Sequence, residues 1–340
     1  MNFSGSYLQA DATFLLDPVP VAENNGVSTI AAHCAPGAEY VRHFLGAVER
    51  NANLVAADVA AVAHQLNDSH EGEIVLVSLV CAGTPAAVLI HRALKMLGRK
   101  TSHYAISSVR GRGLDFNALN FILERHRASE VVFVDGWTGK GFIAGELKES
   151  VELYNKQHEQ SLSPALTVLA DLGGVAGTTG SFADYLIPSA MLRATLNGLT
   201  GPSMVNPRGA GHFDACLYFD MLENQDWSRR FVEMMMPAIG SALCLPTRPN
   251  NVSASEIRLR SQALVTDLVK SHGLSSHTWV KPGVCEATRA LLTREVAMTL
   301  IVRDLQDPDV QHLLLLASRK ICNVETDRNH AYGASVLLRA

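Results

Sequence analysis

The densest concentration of chemistry-bearing residues is Asp135-Gly136-Trp137-Thr138-Gly139-Lys140-Gly141, which directly follows the apolar run Val131 to Val134. A strand that ends in an acid and turns through Thr-Gly-Lys-Gly into a helix suits an anionic phosphate. The glycines permit close backbone approach, free amides point outward, and the helix dipole favours negative charge. Lys140 adds a charge, Thr138 a hydroxyl, and Asp135 at the strand tip is placed to hold sugar hydroxyls. By residue type alone, the same run is equally a glycine-rich turn with a solvated lysine. It is not a Walker A loop, because GxxxxGK[ST] is absent.

A second centre is Cys81 in Ser78-Leu79-Val80-Cys81-Ala82-Gly83-Thr84-Pro85. A thiol at a strand-to-helix turn is activated by the helix N-terminus, and a nucleophilic cysteine needs a histidine base. His103 and His212 are the candidates. The bland alternative is a small hydrophobe in a tight loop. No side-chain metal site is expected: His212-x-x-x-Cys216 has helical spacing but no partners of matching pattern. The triple methionine Met234 to Met236 reads as packing.

These centres must be positioned by alternating strands and helices. Apolar residues recur at helical spacing from Ala35 to Leu66, which predicts two helices. Ile74 to Val80 predicts a buried strand, Ala86 to Leu97 a helix, Thr101 to Val109 a strand, Asp115 to His126 a helix, Val131 to Val134 a strand, and Phe142 to Asn155 a helix. Three strand–loop–helix units in a row predict an α/β fold with a doubly wound parallel sheet. Residues 178–227 are less regular. Residues 246–255 read as a linker, followed by a small α/β segment over 256–340.

The chain has 340 residues, 47% hydrophobic and 18% charged, with a net charge of −4. That composition excludes a disordered chain or a coiled coil, and argues against a protein that coats nucleic acid along its whole length. Six scattered cysteines with no CxxC pair are neither a disulfide framework nor a zinc ribbon. The N-terminus lacks a secretory pattern, and no apolar run approaches the ~18 residues that span a bilayer. A cytoplasmic protein without membrane partners is expected.

Longer motifs carry a resemblance. VVFVDGWTGKG, over 131–141, resembles the phosphoribosyl-pyrophosphate signature of type I phosphoribosyltransferases, with Gly136 in place of the second acid. SLVCAGTPAAV resembles the pyrophosphate loop of that fold, and SSVRGRG its mobile arginine loop. Together with FSGSYLQADATFLLDPV, HYAISSVRGRGLDFNAL, DYLIPSAMLRATLNGL and KPGVCEATRALL, they resemble one bacterial family. Its members are the phosphoribosyltransferase-like proteins of tellurium-resistance and stress gene clusters, with a C-terminal Pelota-type RNA-binding domain. The family is also labelled StiP-type cysteine protease. Where it tends to have an arginine before AGTP, this chain has Cys81.

The resemblance implies a phosphoribosyltransferase-like domain over 1–245, with a hood near 165–230, and a Pelota/L7Ae-like domain over 256–340. It implies transfer of ribose 5-phosphate from phosphoribosyl pyrophosphate to a small nucleophilic acceptor, with Mg²⁺. Cys81, Ala82, Gly83 and Thr84 would hold the pyrophosphate, and Arg110 or Arg112 would close over it. Asp135 and Gly136 would meet the ribose, and Thr138, Gly139, Lys140 and Gly141 the 5′-phosphate. Asp171, Asp184, Asn197 and His212 would read the acceptor, or else be capping and turn residues. Lys281, Gly283, Arg289 and Arg294 would meet RNA. Two other readings stand beside the transferase: a cysteine protease using Cys81, and a non-catalytic nucleotide-sensing regulator on RNA. Self-association as a homo-oligomer is compatible with all three.

Overall fold

Ile74-Val75-Leu76-Val77-Ser78-Leu79 is buried at every position, and a strand covered on both faces belongs inside a parallel sheet flanked by helices. The structure, a computed structural model, has that arrangement. It describes residues 11–20, 37–80, 82–109, 111–192, 200–209, 211–246, 252–294 and 296–339. In chain order, β1 (Thr13–Leu15) and β2 (Asp17–Pro20) precede α1 (Ala38–Ser69), β3 (Ile74–Leu79) and α2 (Gly83–Met96). Next come β4 (Thr101–Ile106), the hairpin of β5 (Ser108–Val109) and β6 (Gly113–Leu114), and α3 (Phe116–Leu123). Then follow β7 (Val131–Val134), β8 (Trp137–Thr138), α4 (Phe142–His158), β9 (Leu166–Asp171) and β10 (Thr178–Ser181).

The main sheet runs β1-β4-β3-β7-β9-β10, every neighbouring pair parallel, and β8 extends the pairing along β9. Alternate residues of β3 feed opposite cores, as the pleat requires. Ile74 and Leu76 pack with α1 and α2, while Val75, Val77 and Leu79 pack with α3 and α4. The expected α/β class with a parallel sheet is what forms.

Three expectations change. The two helices expected between Ala35 and Leu66 are one, α1, because its buried stripe from Phe44 to Leu66 runs without a breaker. The strand expected over Thr101 to Val109 breaks after Ile106, and its end folds into the β5–β6 hairpin. The strand expected over Ala165 to Ala170 forms as β9, but β10, inside the span expected as a hood, joins it in the central sheet instead. The three-stranded sheet of β11 (Thr200–Met204), β12 (Ala215–Tyr218) and β2 is separate from it, with β11 antiparallel and β2 parallel to β12.

Beyond α5 (Ser228–Leu243), residues 247–251 of the expected linker lie outside the described residues. Past them come α6 (Ala254–Ser271), β13 (Val280–Pro282), α7 (Val284–Thr293), β14 (Met298–Val302), α8 (Gln311–Ala317), β15 (Cys322–Thr326) and β16 (Ala334–Leu338). Their sheet is ordered β13-β16-β14-β15. It does not hang from the first sheet by a tether. Val284, Ala287, Leu291 and Leu313 share one continuous apolar core with Phe44, Val55 and Tyr185.

Asp309, just ahead of α8, fastens the seam. Its Oδ1 accepts Arg50 Nη2 at 2.6 Å, both oxygens accept Asn51 Nδ2 at 3.0 Å, and Oδ2 accepts the Leu186 N–H at 3.0 Å. Replacing Asp309 with alanine strips an acceptor from the buried Asn51 and from the Leu186 amide. Such a change typically costs about 2–3 kcal/mol. Urea unfolding of D309A should show a lower midpoint at unchanged slope, and a midpoint equal to wild type would contradict the anchoring role.

Candidate functional site

The carboxyl ends of β3 and β7 pass unusually close to each other. A Cβ added to Gly83, the first residue of α2, would sit 2.3 Å from the Val134 carbonyl oxygen. A Cβ on Gly136 would sit 2.9 Å from the Ala82 carbonyl oxygen. The glycine that replaces the second acid of the signature is therefore dictated by space: a carboxylate side chain at 136 would collide with backbone. Thr84 is buried here, and its hydroxyl lies 3.4 Å from Ser78 Oγ. Cys81 and Arg110, and Asn197 in the irregular stretch, lie outside the described residues.

Over this junction sits the three-stranded sheet. Val80, next in sequence to Cys81, packs with Leu16, Cys216 and Tyr218. Just before β12, His212 Nδ1 lies 3.7 Å from Asp17 Oδ2. Asp17 is held from its other sides, accepting Asn206 Nδ2 at 2.6 Å and Arg208 Nη2 at 2.5 Å. The His212 side chain is 45% exposed, so an imidazole close to a carboxylate faces solvent. Asn117 Nδ2 donates to the His212 carbonyl at 2.7 Å. Arg112 leans on Asp214 at 3.4 Å, and Asp214 N–H donates to Asp115 at 2.6 Å. Asp17 was not singled out from the sequence. It lies 195 positions before His212 in number, and no short motif joins the two.

His103, the other candidate base, has a different setting. Its Nδ1 donates to the Asp11 carbonyl at 2.9 Å and its Nε2 accepts from Ser78 Oγ at 2.8 Å. Burial pushes this imidazole down to about 3, so it remains a neutral packing residue at physiological pH.

The described cysteines separate as clearly. Cys216 is fully buried in β12. Cys285 donates to the Tyr185 carbonyl at 3.4 Å and accepts the Ile187 N–H at 3.3 Å, and burial pushes its thiol well above the usual range. Burial also raises the Cys322 thiol. Cys244 is exposed and stands at the C-cap of α5.

The second region is the segment after Val134. It is not a free loop: Asp135 N–H donates to the Thr167 carbonyl, and β8 pairs with β9 at Trp137↔Ala170 and Thr138↔Asp171. Asp135 is buried, and its Oδ1 accepts the Gly136 N–H at 2.8 Å. Burial pushes its carboxyl up to about 6, against the opposing pull of Arg289 and the Gly136 amide. Thr138 Oγ1 donates to Asp171 at 2.5 Å and accepts the Gly173 N–H at 2.9 Å. Gly139 abuts Pro282 and Glu286 so closely that a Cβ would stand 2.9 Å from Glu286 Cγ. Lys140 Nζ donates to the His277 carbonyl and, at 2.7 Å, to the Val280 carbonyl. Gly141 has φ +85°, a left-handed entry into α4 that favours glycine.

The acids expected to read an acceptor have internal tasks. Asp171 has no exposed surface, and besides Thr138 it accepts the Val175 and Ala176 amides at 3.2 and 2.9 Å. Asp184 accepts the Val284 N–H at 2.9 Å and the Gly333 N–H at 2.8 Å, capping α7 from across the seam, and burial raises its carboxyl to about 6. Gly283, with φ +91°, packs against that carboxylate at the start of α7. The residues present do not fit Mg²⁺: position 136 has no room for the second carboxylate, and the described residues contain no cluster of three or more His, Cys, Asp or Glu able to hold a metal ion. Also among the described residues, no helix is long and apolar enough to cross a membrane.

Comparison with known proteins adds to this geometry. Residues 5–236 match the family described as "Tellurite-like stress resistance cysteine protease StiP", and residues 259–340 match the "PELOTA RNA binding domain". The "Cysteine protease StiP" of Acinetobacter baylyi is 32% identical over 369 residues, covering 99% of this chain and 94% of that protein. Among solved structures, a hypoxanthine phosphoribosyltransferase from Trypanosoma cruzi is 15% identical, covering 57% of this chain and 92% of that one, with a TM-score of 0.29. An asparagine mutant from an analysis of an invariant aspartic acid in HPRTs is 15% identical, covering 38% and 74%, with a TM-score of 0.28. Likenesses of that size reach neither substrate nor reaction.

The raised Asp135 carboxyl has a measurable consequence. The folded chain holds this proton more tightly than the unfolded chain, so ionising it costs stability as pH rises from about 4 to about 6. That cost is complete at neutral pH and is relieved below about pH 4. Asp135→Asn keeps an acceptor for the Gly136 amide and removes the buried charge. D135N should be more stable than wild type at pH 7.5, by an amount on the order of 2 kcal/mol, with the gap closing at pH 4. Paired denaturation curves at the two pH values decide it; a gap that does not narrow would refute the linkage.

Proposed function

The chain belongs to the StiP family of tellurite-like stress resistance cysteine proteases, and on that footing we propose that it cleaves peptide bonds with Cys81 as nucleophile. His212 is the general base, and Asp17 is the carboxylate that orients the imidazole. The observation that carries this assignment is the His212–Asp17 pair on a sheet packed against Val80, the residue beside Cys81. Among the described cysteines, Cys216 and Cys285 are buried, and burial raises the Cys285 and Cys322 thiols, which disfavours them as nucleophiles.

In this reading His212 accepts the Cys81 proton as sulfur attacks the scissile carbonyl carbon. Amides at the start of α2, Ala82 to Thr84, lie where a helix leaves its first N–H groups without intrahelical acceptors, and they suit the oxyanion. His212 then returns the proton to the departing amine, and water attacks the thioester to release the acid and restore the thiol. Asp17, 3.7 Å away, would hold Nδ1 protonated once the two draw into hydrogen-bond range, leaving Nε2 to take the proton. The match of residues 259–340 to an RNA-binding domain supports RNA as a partner beside the peptide substrate.

Ribose transfer has less support. Gly136 removes one half of the carboxylate pair that would grip the sugar, and Thr138 and Lys140 already hold protein partners.

Alkylation by iodoacetamide at pH 6.5, mapped by mass spectrometry, tests the peptidase reading. Cys81 should react at least about tenfold faster than Cys244, because its thiolate is stabilised. His212→Ala should bring Cys81 down to the Cys244 rate, and Asp17→Asn should fall between. With labelled casein as the probe substrate, C81S should lose at least about a thousandfold in kcat/KM. Equal alkylation of the two cysteines, unmoved by H212A, would sink the assignment.

A further inference from the structure

The sheet of the second half, ordered β13-β16-β14-β15, has two edges of different character. The β13 edge is closed: the Val280 carbonyl accepts Lys140 Nζ at 2.7 Å, and Gly139 lies against the Pro282 carbonyl. On the β15 side no further strand is paired among the described residues. Met298 N–H donates to the Ile321 carbonyl and Asp327 N–H to the Val302 carbonyl, both at 3.0 Å. In a parallel ladder this phase turns the N–H and C=O of Asn323 and Glu325 toward β14. It turns those of Cys322, Val324 and Thr326 away from it. Cys322 N–H is taken by the Lys320 carbonyl at 2.9 Å, whereas no described residue meets the main-chain groups of Val324 and Thr326.

Sheets ordinarily blunt such an edge with proline, lysine, a bulge or a covering element. Cys-Asn-Val-Glu-Thr has no proline or lysine, and its register with β14 is unbroken over five residues. Lys320, just before it, donates to the Arg294 carbonyl at 2.8 Å. Asn323, Val324 and Thr326 are exposed. Ile321, at the start of the strand, is 81% exposed, the most of any large apolar side chain among the described residues.

We infer that β15 pairs with β15 of a second copy of this chain, antiparallel about a two-fold axis at Val324, joining two four-stranded sheets into one. The strand's own sequence selects this occupant and this register. Outward main-chain groups must meet outward ones, so Val324 faces the partner's Val324, and Cys322 faces the partner's Thr326. Each Val324 N–H then donates to the other Val324 carbonyl, and each Thr326 N–H to the Cys322 carbonyl across the axis. Asn323 falls opposite the partner's Glu325. Its Nδ2 donates to Glu325 Oε1 of its own strand at 3.0 Å and has a second hydrogen for the carboxylate across the edge. Glu325 is the one charge in β15, and in this register it never meets its own copy. An axis at Glu325 would set like charges face to face, and one at Asn323 would set Glu325 against Ile321. The inference is independent of the peptidase assignment, whose residues all lie in the first half.

Sedimentation equilibrium of the full chain from about 1 to about 100 μM should show a reversible monomer–dimer equilibrium. Val324→Pro removes an outward N–H and none of those bonded to β14, so the chain keeps its own ladder. It should raise the dimer dissociation constant at least about tenfold. Asn323→Asp sets two carboxylates opposite each other and should weaken the dimer, whereas Asn323→Lys should tighten it in a salt-sensitive way. Melting curves show whether V324P is folded. If it is not, hydrogen exchange on wild type replaces it: raising the concentration should slow exchange of the Val324 and Thr326 amides. A chain that stays monomeric leaves the edge to an unlike partner and overturns the inference. So would a dimer untouched by a folded V324P, equal dimer affinities for N323D and N323K, or concentration-dependent protection that bypasses Val324 and Thr326.

Discussion

Two backbone segments at the carboxyl end of the main sheet approach each other more closely than a Cβ allows. Gly83 against the Val134 carbonyl and Gly136 against the Ala82 carbonyl bring the β3–α2 junction and the end of β7 into direct contact. The rest of the region follows from that contact. It fixes where α2 begins and therefore where its first amides lie. It bars a carboxylate from position 136 and leaves Asp135 as the one acid there, buried and reluctant to ionise. The same packing sends Trp137 and Thr138 along β9 rather than out into solvent. A motif that resembles a sugar-phosphate signature in its letters thus has a different physical role in its first half.

Much of the architecture is legible in the residues. The strands β3, β7 and β14 are short, apolar and β-branched, and burial on both faces leaves no other interpretation. Asp115 announces a helix start because its side chain can take the Asn117 and Ala118 amides. By contrast, β15, Cys-Asn-Val-Glu-Thr, is an edge strand with little buried surface, so no apolar alternation marks it. The site divides in the same way. Lys140, Gly139 and Gly141 are adjacent in sequence and recognisable together, and Cys81 falls in sequence between a strand-like run and a helical one. The Asp17 partner of His212 is brought there by parallel pairing of β2 with β12, a long-range event that no local pattern encodes. Glu286 and Arg289 reach the Asp135 neighbourhood by docking of the second sheet, which is equally invisible to periodicity.

The histidines and cysteines show how environment, rather than residue type, separates function from packing. His103 and His212 looked alike as letters. One is sealed between a carbonyl and a serine with its imidazole pushed to about 3, and the other stands half in solvent on a carboxylate. Cys285 spends its sulfur holding the seam. Asp171, at the end of β9, accepts the Thr138 hydroxyl and two backbone amides, and Asp184, in the irregular stretch, accepts two backbone amides.

The apolar core that runs unbroken from α1 into α7 and α8 bears on how such a chain could arise and diversify. A bead on a string can be swapped, duplicated or lost without consulting its neighbour. Here Phe44 and Leu313 sit in the same interior, so the carboxyl-terminal third cannot be exchanged for an unrelated one without rebuilding the first. Gene fusions that shuffle freely joined modules would leave both partners with raw greasy faces. The two halves are bound to drift together, each substitution on one wall constraining what the opposite wall can next become.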